Sequence, residues 1–230
     1  MPIAGKVYWN GDDGYEQARR DAVWNELKPD RHPAAIILAA NERDVVEAVK
    51  LARERGLKVK ARSGGHSWTG SSVRDDSILV NLSALSDVEV DPVTSTAIVG
   101  PGAQGRDLNR LLEPHGLFFP TGHCPTVGLG GFLLQGGWGW HSPNIGPACL
   151  SVVGVDVVTA NGELVHADET TNQDLLWAAR GAGVEGWPES DPDLVVVGAP
   201  PDRPDVGLLS PRSCGRGFGR PVDHARWIRG

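Results

Sequence analysis

Two glycine-rich stretches hold the residues best suited to chemistry. The first, Arg62-Ser63-Gly64-Gly65-His66-Ser67-Trp68, directly follows a predicted strand. Paired glycines let a backbone approach a ligand closely and turn its N–H groups toward an anion. Ser63 and Ser67 add hydroxyl donors, and His66 adds an imidazole. A tight turn with a solvated histidine is the plainer reading of such a stretch. A diphosphate-binding loop with a positioned imidazole accounts for more of its residues. The second stretch runs from Pro120 through Gly122, His123, Cys124, Pro125, Thr126, Val127, Gly128, Leu129, Gly130 and Gly131 to Gly136, Gly137 and Gly139, with seven glycines in 18 residues. It lacks the strand–GxGxxG–helix context of a dinucleotide site and the GxxxxGK[ST] spacing of a phosphate loop. A purely structural glycine loop is therefore the alternative. A lone cysteine is commonly a small buried hydrophobe. Cys124, however, precedes a proline in an open, polar-flanked loop, which favours a sulfur that faces a ligand.

The remaining histidines and cysteines carry less. His123 and His141 read as local hydrogen-bonding residues, with a catalytic role as the alternative. His32, His115, His166 and His224 have no partner at a telling spacing. His123, Cys124, Cys149 and Cys214 lack the C-x2–4-C or H-x3–5-H spacing of a zinc site, so no metal is expected.

The elements that must position the two loops are legible as patterns. Helical spacing over Asp12–Leu27 puts Tyr15, Ala18, Ala22 and Leu27 inward, with Pro29 as the stop. Ala35–Ala39 is a short buried strand. Asn41 is a good N-cap for a helix whose stripe is Val45, Val46, Ala48, Val49, Leu51 and Ala52, and Gly56 is placed to end it. Leu57–Ala61 is the next strand, giving a β-α-β unit with a parallel pair. Ser77–Leu82, Asp87–Val90 and Ser95–Val99 are short strands with no helix between them, which predicts an antiparallel sheet. Gln104–Leu112 is a short helix. Ala160-Asn161-Gly162 between β-rich runs predicts a hairpin, because both Asn161 and Gly162 tolerate positive φ. Asn172–Arg180 is a last helix. The fold class is α+β, a small β-α-β lobe followed by an antiparallel-sheet lobe, and not a doubly wound Rossmann sheet.

Composition narrows the function classes. The chain has 230 residues, a net charge of −7, and is 40% hydrophobic and 22% charged. A packed core is feasible, and a nucleic-acid protein, which needs a basic face, is disfavoured. No apolar run approaches the length of a membrane span, and no signal peptide is evident at Met1. Three cysteines, an odd number, make a disulfide framework unexpected and favour a reduced, cytoplasmic chain. The last 47 residues, Val184–Gly230, contain seven Gly, seven Pro and six Arg but no Lys, a composition unlike the body and typical of irregular chain.

The body resembles the FAD-binding domain of the vanillyl-alcohol oxidase/p-cresol methylhydroxylase (PCMH-type) superfamily, and is most similar to its berberine-bridge-enzyme-like branch. Three features in order carry the match: the RSGGHSW loop, the GHCPTVGLGG loop, and Val152–Asn161 followed by LLWAARGAG. The similarity runs from about Arg31 to Gly183. It implies FAD held bicovalently, by His66 at the flavin 8α-methyl and by Cys124 at flavin C6. Arg62, Ser63, Gly64, Gly65, Ser67, Thr126, Val127, Gly128, Gly130, Gly131, Gly137 and Val155 are the further cofactor-binding residues it implies. Val127 stands where family members control oxygen access. The implied activity is oxidase-like: hydride passes from an alcohol, sugar or amine carbon of a small molecule to flavin N5, with O2 as acceptor.

The implied organisation is an N-terminal helical segment (1–30), the FAD-binding domain (31–183) and an irregular Pro/Gly/Arg-rich tail (184–230). Family members continue after the ARGAG segment with a Phe/Gly/Val-rich strand and a substrate domain that supplies the catalytic base. Neither is recognisable in the tail, so no base is assigned. A truncated flavin-binding remnant without turnover is the alternative function, and a flavin-free module a third. The tail resembles an out-of-frame reading of a GC-rich gene. If so, a one-base shift near codon 183 of the nucleotide sequence restores a family-like continuation; the lack of one in either shifted frame removes the idea.

Overall fold

A computed structural model describes residues 2–181, together with two strands at Val195–Gly198 and Val206–Gly207. The first lobe contains, in chain order, strand β1 (Lys6–Trp9), helix α1 (Tyr15–Asp21), strand β2 (Ala35–Leu38), helix α2 (Glu42–Glu54) and strands β3 (Lys58–Arg62) and β4 (Ser77–Asn81). They build a four-stranded sheet of order β1-β2-β4-β3. β2, β4 and β3 run parallel, and β1 closes one edge antiparallel to β2.

The two central strands explain this order. Ile36, Ile37, Ile78, Leu79 and Val80 are all fully buried, the continuous apolar run of a strand covered on both faces. Ile37, Ile78 and Val80 meet Val45, Ala48, Val49 and Ala52 of α2 on one side. Ile36 and Leu79 meet Tyr15, Ala22 and Val23 of the α1 region on the other. This corrects the antiparallel assignment of Ser77–Leu82. A strand apolar on both faces belongs in the middle of a covered sheet, so β4 inserts between β2 and β3 and keeps them from pairing directly. The connection from β3 to β4 is the histidine-bearing loop itself, with no helix in it.

Helix α2 begins and ends as its sequence predicts. The Asn41 side chain accepts the Asp44 N–H at 3.1 Å, and Gly56 adopts φ +66° at the other end. The first helix is shorter than predicted. It stops at Asp21, and Leu27 is 81% exposed rather than inward. After Ala22 the chain turns so that the Trp24 N–H reaches the Gly65 carbonyl at 3.0 Å. The N-terminal segment contributes more than a helix, since β1 is an edge strand that periodicity did not reveal.

The second lobe adds β5 (Val88–Asp91), β6 (Thr96–Val99), α3 (Gly105–Leu112), α4 (Leu129–Leu134), α5 (Ser142–Ile145), β7 (Gly154–Val158), β8 (Leu164–Asp168), α6 (Gln173–Ala179), β9 (Val195–Gly198) and β10 (Val206–Gly207). Two three-stranded antiparallel sheets result, β10-β6-β5 and β8-β7-β9. β9 and β10 lie within the segment expected to be irregular. The valine run Val195–Val197 has the β-branched composition of a strand, and β7 presents it an open edge. The rest of that segment lies outside the described residues. Leu108, Leu112, Phe119 and Leu129 fill one core of this lobe, and Val155, Val157, Leu176 and Ala179 another. Val158 packs into the α2 cluster and so joins the lobes. Among the described residues no helix is long and apolar enough to cross a membrane.

The hairpin between β7 and β8 forms, but only Gly162 adopts positive φ (+73°). The Gly162 N–H bonds to the Thr159 carbonyl and the Thr159 N–H to the Glu163 carbonyl, both at 2.8 Å. A three-residue loop needs one left-handed residue, whereas a two-residue loop needs two. His166, which has no sequence neighbour to pair with, finds one across the strands: its Nδ1 lies 2.8 Å from Asp156 Oδ1.

One buried carboxylate ties the N-terminus to this frame. Asp44, 2% exposed, accepts the N–H groups of Ala4, Gly5 and Ala40 at 2.8–2.9 Å. Removing the acceptor leaves three backbone donors without it. Asp44→Ala is expected to lower stability by about 2–3 kcal/mol, read as a drop in the urea midpoint with an unchanged slope.

Candidate functional site

The site is built where the two glycine-rich loops cross. The first leaves the C-terminal end of β3 at Arg62. The Arg62 guanidinium donates to the carbonyls of Asp21, Ala22 and Ser63 and to Asn81 Oδ1 at 2.9–3.3 Å. Four of its donors thus hold the end of α1, β4 and the loop together. Ser63 Oγ donates to the Pro101 carbonyl. Ser67 Oγ accepts the Ser71 N–H at 3.2 Å and closes the far end of the loop.

The second loop is laced to the segment before α3. The Gly105 and Arg106 N–H groups donate to the carbonyls of Val127 and Pro125, both at 3.2 Å, and the Leu129 and Gly130 N–H groups donate to those of Ala103 and Pro101 at 2.8 and 3.1 Å. Pro101 therefore holds both loops through one carbonyl. Gly128 ends the extended loop and caps α4, a helix absent from the sequence reading because six residues rich in glycine carry no periodic stripe.

Gly64 and Gly128 touch backbone to backbone. A side chain on Gly64 would overlap the Gly128 nitrogen, and one on Gly128 would overlap Ser63 Oγ and the Gly64 nitrogen. Gly65 adopts φ +70° and has the Ala22 carbonyl where a side chain would stand. Gly130 lies against Pro101, while a side chain on Gly131 would meet nothing within 4 Å. Gly137 (φ +72°) packs on Ala148. The Val127 side chain, half-buried, lies 3.5 Å from the place a Gly122 side chain would take. Val155 stands apart, with its side chain in the core of the β7 sheet among Val152, Val157, Ala167 and Leu176.

This crossing brings His66 and Cys124 to a single hydroxyl. Thr126 Oγ1 lies 3.1 Å from His66 Nε2 and 3.4 Å from Cys124 Sγ. The indole of Trp24 stacks on the imidazole, with centroids 4.7 Å apart and planes 21° from parallel. Trp24 is a site residue that sequence reading missed. It lies far from either loop along the chain, and nothing in its spacing points to His66. His123 sits edge-on to Trp140 at 4.2 Å and His141 contacts Phe118 at 5.0 Å, so both are in aromatic contact.

The electrostatics lower the pKa of both groups. Burial holds the His66 pKa below its ordinary value, and the Arg62 charge adds to this, while the Thr126 backbone acts in the opposite direction. The hydroxyl and the backbone of Thr126 lower the Cys124 pKa. Cys149 is the opposite case, a buried thiol whose pKa burial raises. Arrangement and chemistry suit two nucleophiles presented side by side.

The loop crossing is the mechanical requirement. Gly64→Ala and Gly128→Ala are each expected to cost about 1–3 kcal/mol or more, by overpacking backbone that cannot yield. Gly131→Ala, with open space, should leave the melting temperature unchanged or raised. Equal effects of all three on thermal melts would show that the crossing is not tight.

Comparison with known proteins agrees with this geometry. The family profile described as "FAD binding domain" matches residues 33–168. FAD-linked oxidoreductase penO of Penicillium crustosum is 45% identical over 185 residues, covering 80% of this chain and 41% of that protein. The chain thus spans about two fifths of that relative's length. The solved structure of 6-hydroxy-D-nicotine oxidase from Arthrobacter nicotinovorans superposes with a TM-score of 0.79 at 29% identity, over 91% of this chain and 43% of that one. Glucooligosaccharide oxidase from Acremonium strictum, described as carrying 6-S-cysteinyl, 8α-N1-histidyl FAD, superposes with a TM-score of 0.75 at 26% identity, over 90% of this chain and 41% of that one. These matches identify the chain as a member of the FAD-binding-domain family of FAD-linked oxidoreductases, with a PCMH-type fold and berberine-bridge-enzyme-like structural neighbours.

Proposed function

We propose that this chain binds FAD through covalent bonds from both His66 and Cys124, and forms the flavin-holding part of an oxidase for an alcohol, sugar or amine. The observation that carries the reading is the convergence of His66 Nε2 and Cys124 Sγ on Thr126 Oγ1. The flavin 8α-methyl carbon and C6 belong to one edge of one ring system, so a protein that attaches at both must present its two nucleophiles side by side. The structural neighbours support the two halves of the proposal: one carries FAD linked through cysteine and histidine, and the nicotine and oligosaccharide oxidases are named for amine and sugar substrates.

The residues present fit the group. Gly131 has open space where a side chain would stand, beside a crossing in which Gly64, Gly65, Gly128 and Gly130 are hemmed in by backbone or side chains. Arg62 and Ser63 keep the first loop in shape, and Gly64, Gly65, Gly128 and Gly130 keep backbone close to backbone. In this reading the N–H groups of Ser67 and Gly131 face the diphosphate, and Val127 borders the path by which O2 reaches the ring. The bound flavin supplies hydride acceptance at N5 and the return of two electrons to O2. Attachment would replace one hydrogen of the bound flavin at each bond; counted from neutral imidazole and thiol, two protons and two electrons would leave per bond, and O2 would take them up as hydrogen peroxide. Neutral imidazole and thiolate would be the nucleophilic forms, the thiolate having released its proton beforehand.

Denaturation separates the possibilities. Acid-precipitated protein from FAD-supplied cells should remain yellow, and its intact mass should exceed the chain's by one FAD. Cys124→Ala should keep one bond, through His66; His66→Ala should keep one, through Cys124. A colourless pellet from the wild-type chain would falsify the bicovalent reading. Anaerobic bleaching of the flavin by a panel of alcohols, sugars and amines then tests turnover. Flavin that never bleaches would leave a flavin-binding protein without oxidase activity.

A further inference from the structure

A hydroxyl has one hydrogen and can donate it once. Thr126 Oγ1 has two neighbours within hydrogen-bond distance, His66 Nε2 and Cys124 Sγ. Two arrangements of protons matter here. In the first, the hydroxyl donates to Nε2, so the imidazole carries its hydrogen on Nδ1, its lone pair is engaged by Thr126, and the sulfur receives no hydrogen from the hydroxyl. In the second, Nε2–H donates to the hydroxyl and the hydroxyl donates to sulfur. The lone pair is then on Nδ1, at the ring edge turned away from Thr126, and the donated hydrogen favours thiolate, the stronger nucleophile, over thiol. The hydroxyl's single hydrogen thus bonds both groups in a productive form only in the second arrangement.

We propose that Thr126 is the positioning residue that holds His66 as the Nε2–H tautomer and Cys124 as a thiolate, and so readies both for attachment at once. This deepens the reading above, since it rests on His66 and Cys124 being the flavin anchors. Its structural content, the proton arrangement, belongs to the chain alone.

Three features select the second arrangement. The Thr126 hydroxyl, and then its backbone, lower the Cys124 pKa, which puts the hydroxyl's one hydrogen on sulfur and leaves its oxygen to accept from Nε2–H 3.1 Å away. Trp24 stacks on the imidazole and resists tilting of its plane away from Thr126. Burial, and then the Arg62 charge, lower the His66 pKa and so oppose a second ring proton. Threonine suits the role because its β-branch restricts χ1, so the hydroxyl is held rather than free to rotate away.

The test uses the full chain produced with 15N-labelled histidine in a riboflavin-starved host, so that both nucleophiles are free. Proton–nitrogen correlation spectra should show His66 as the Nε2–H tautomer at neutral pH. Thr126→Val, which keeps shape and removes the hydroxyl, should lose that preference. The same substitution should slow iodoacetamide alkylation of Cys124 at pH 7 by about tenfold, the change expected for a rise of one unit in thiol pKa. Thr126→Ser should restore both signals. Wild-type His66 found as the Nδ1–H tautomer overturns the proposal without any variant, as does a folded Thr126→Val chain that matches wild type in both measurements. Adding FAD afterwards reads the attachment separately. Wild type that shows the expected tautomer and thiolate yet forms no bond sinks the bicovalent reading and leaves the role of Thr126 standing.

Discussion

The loop carrying His66 and the loop carrying Cys124 meet where Gly64 lies against Gly128. That contact is backbone on backbone, closer than any side chain permits. Everything distinctive about the site depends on it. If either loop moved out by the width of a methyl group, Thr126 would no longer reach His66. The crossing is itself anchored at both ends, by the carbonyl of Pro101 beneath it and by the Arg62 guanidinium behind it. Glycine is required here for the space its missing side chain leaves, and only at Gly65 for its positive φ as well.

The same crossing reconciles two demands that ordinarily conflict. In the proposed role an imidazole and a thiol need an environment that holds them still, yet they must face outward to meet a ligand. The chain holds both side chains from behind. Trp24 supports one face of the imidazole, and Thr126 occupies the side between the two groups. His66 and Cys124 stay half-buried, with neither sealed in the core as Cys149 is. Trp24 meets His66 and Trp68, and Trp140 meets His123, so exposed aromatic side chains border both loops.

Most of the secondary structure was legible because local chemistry decides it. Asn41 and Gly56 bound α2 as caps, and the stripe from Val45 to Ala52 packs as its spacing requires. Where reading failed, a longer-range partner had intervened. Ser77–Asn81 carries no mark of parallel or antiparallel pairing; its burial on both faces, between α1 and α2, decides the matter. The Trp24 N–H bonds to Gly65 and the Arg62 guanidinium caps the carbonyls of Asp21 and Ala22, so the first helix ends early for reasons that lie 40 residues away. His166 pairs with Asp156 only because a hairpin places them opposite one another.

The site divides along the same line. Sequence alone singled out the two loops, their glycines, and His66 and Cys124 as candidates, because residue type and local flanking residues are properties of the chain. It could not show that imidazole and thiol share one hydroxyl, that Trp24 backs the imidazole, or that Arg62 and Ser63 spend their donors on protein carbonyls. Those facts exist only once β3, the end of α1 and the segment before α3 are packed together. Hydrogen bonds and ring stacking act over a few ångströms, and residues distant along the chain come within that range only through the tertiary fold.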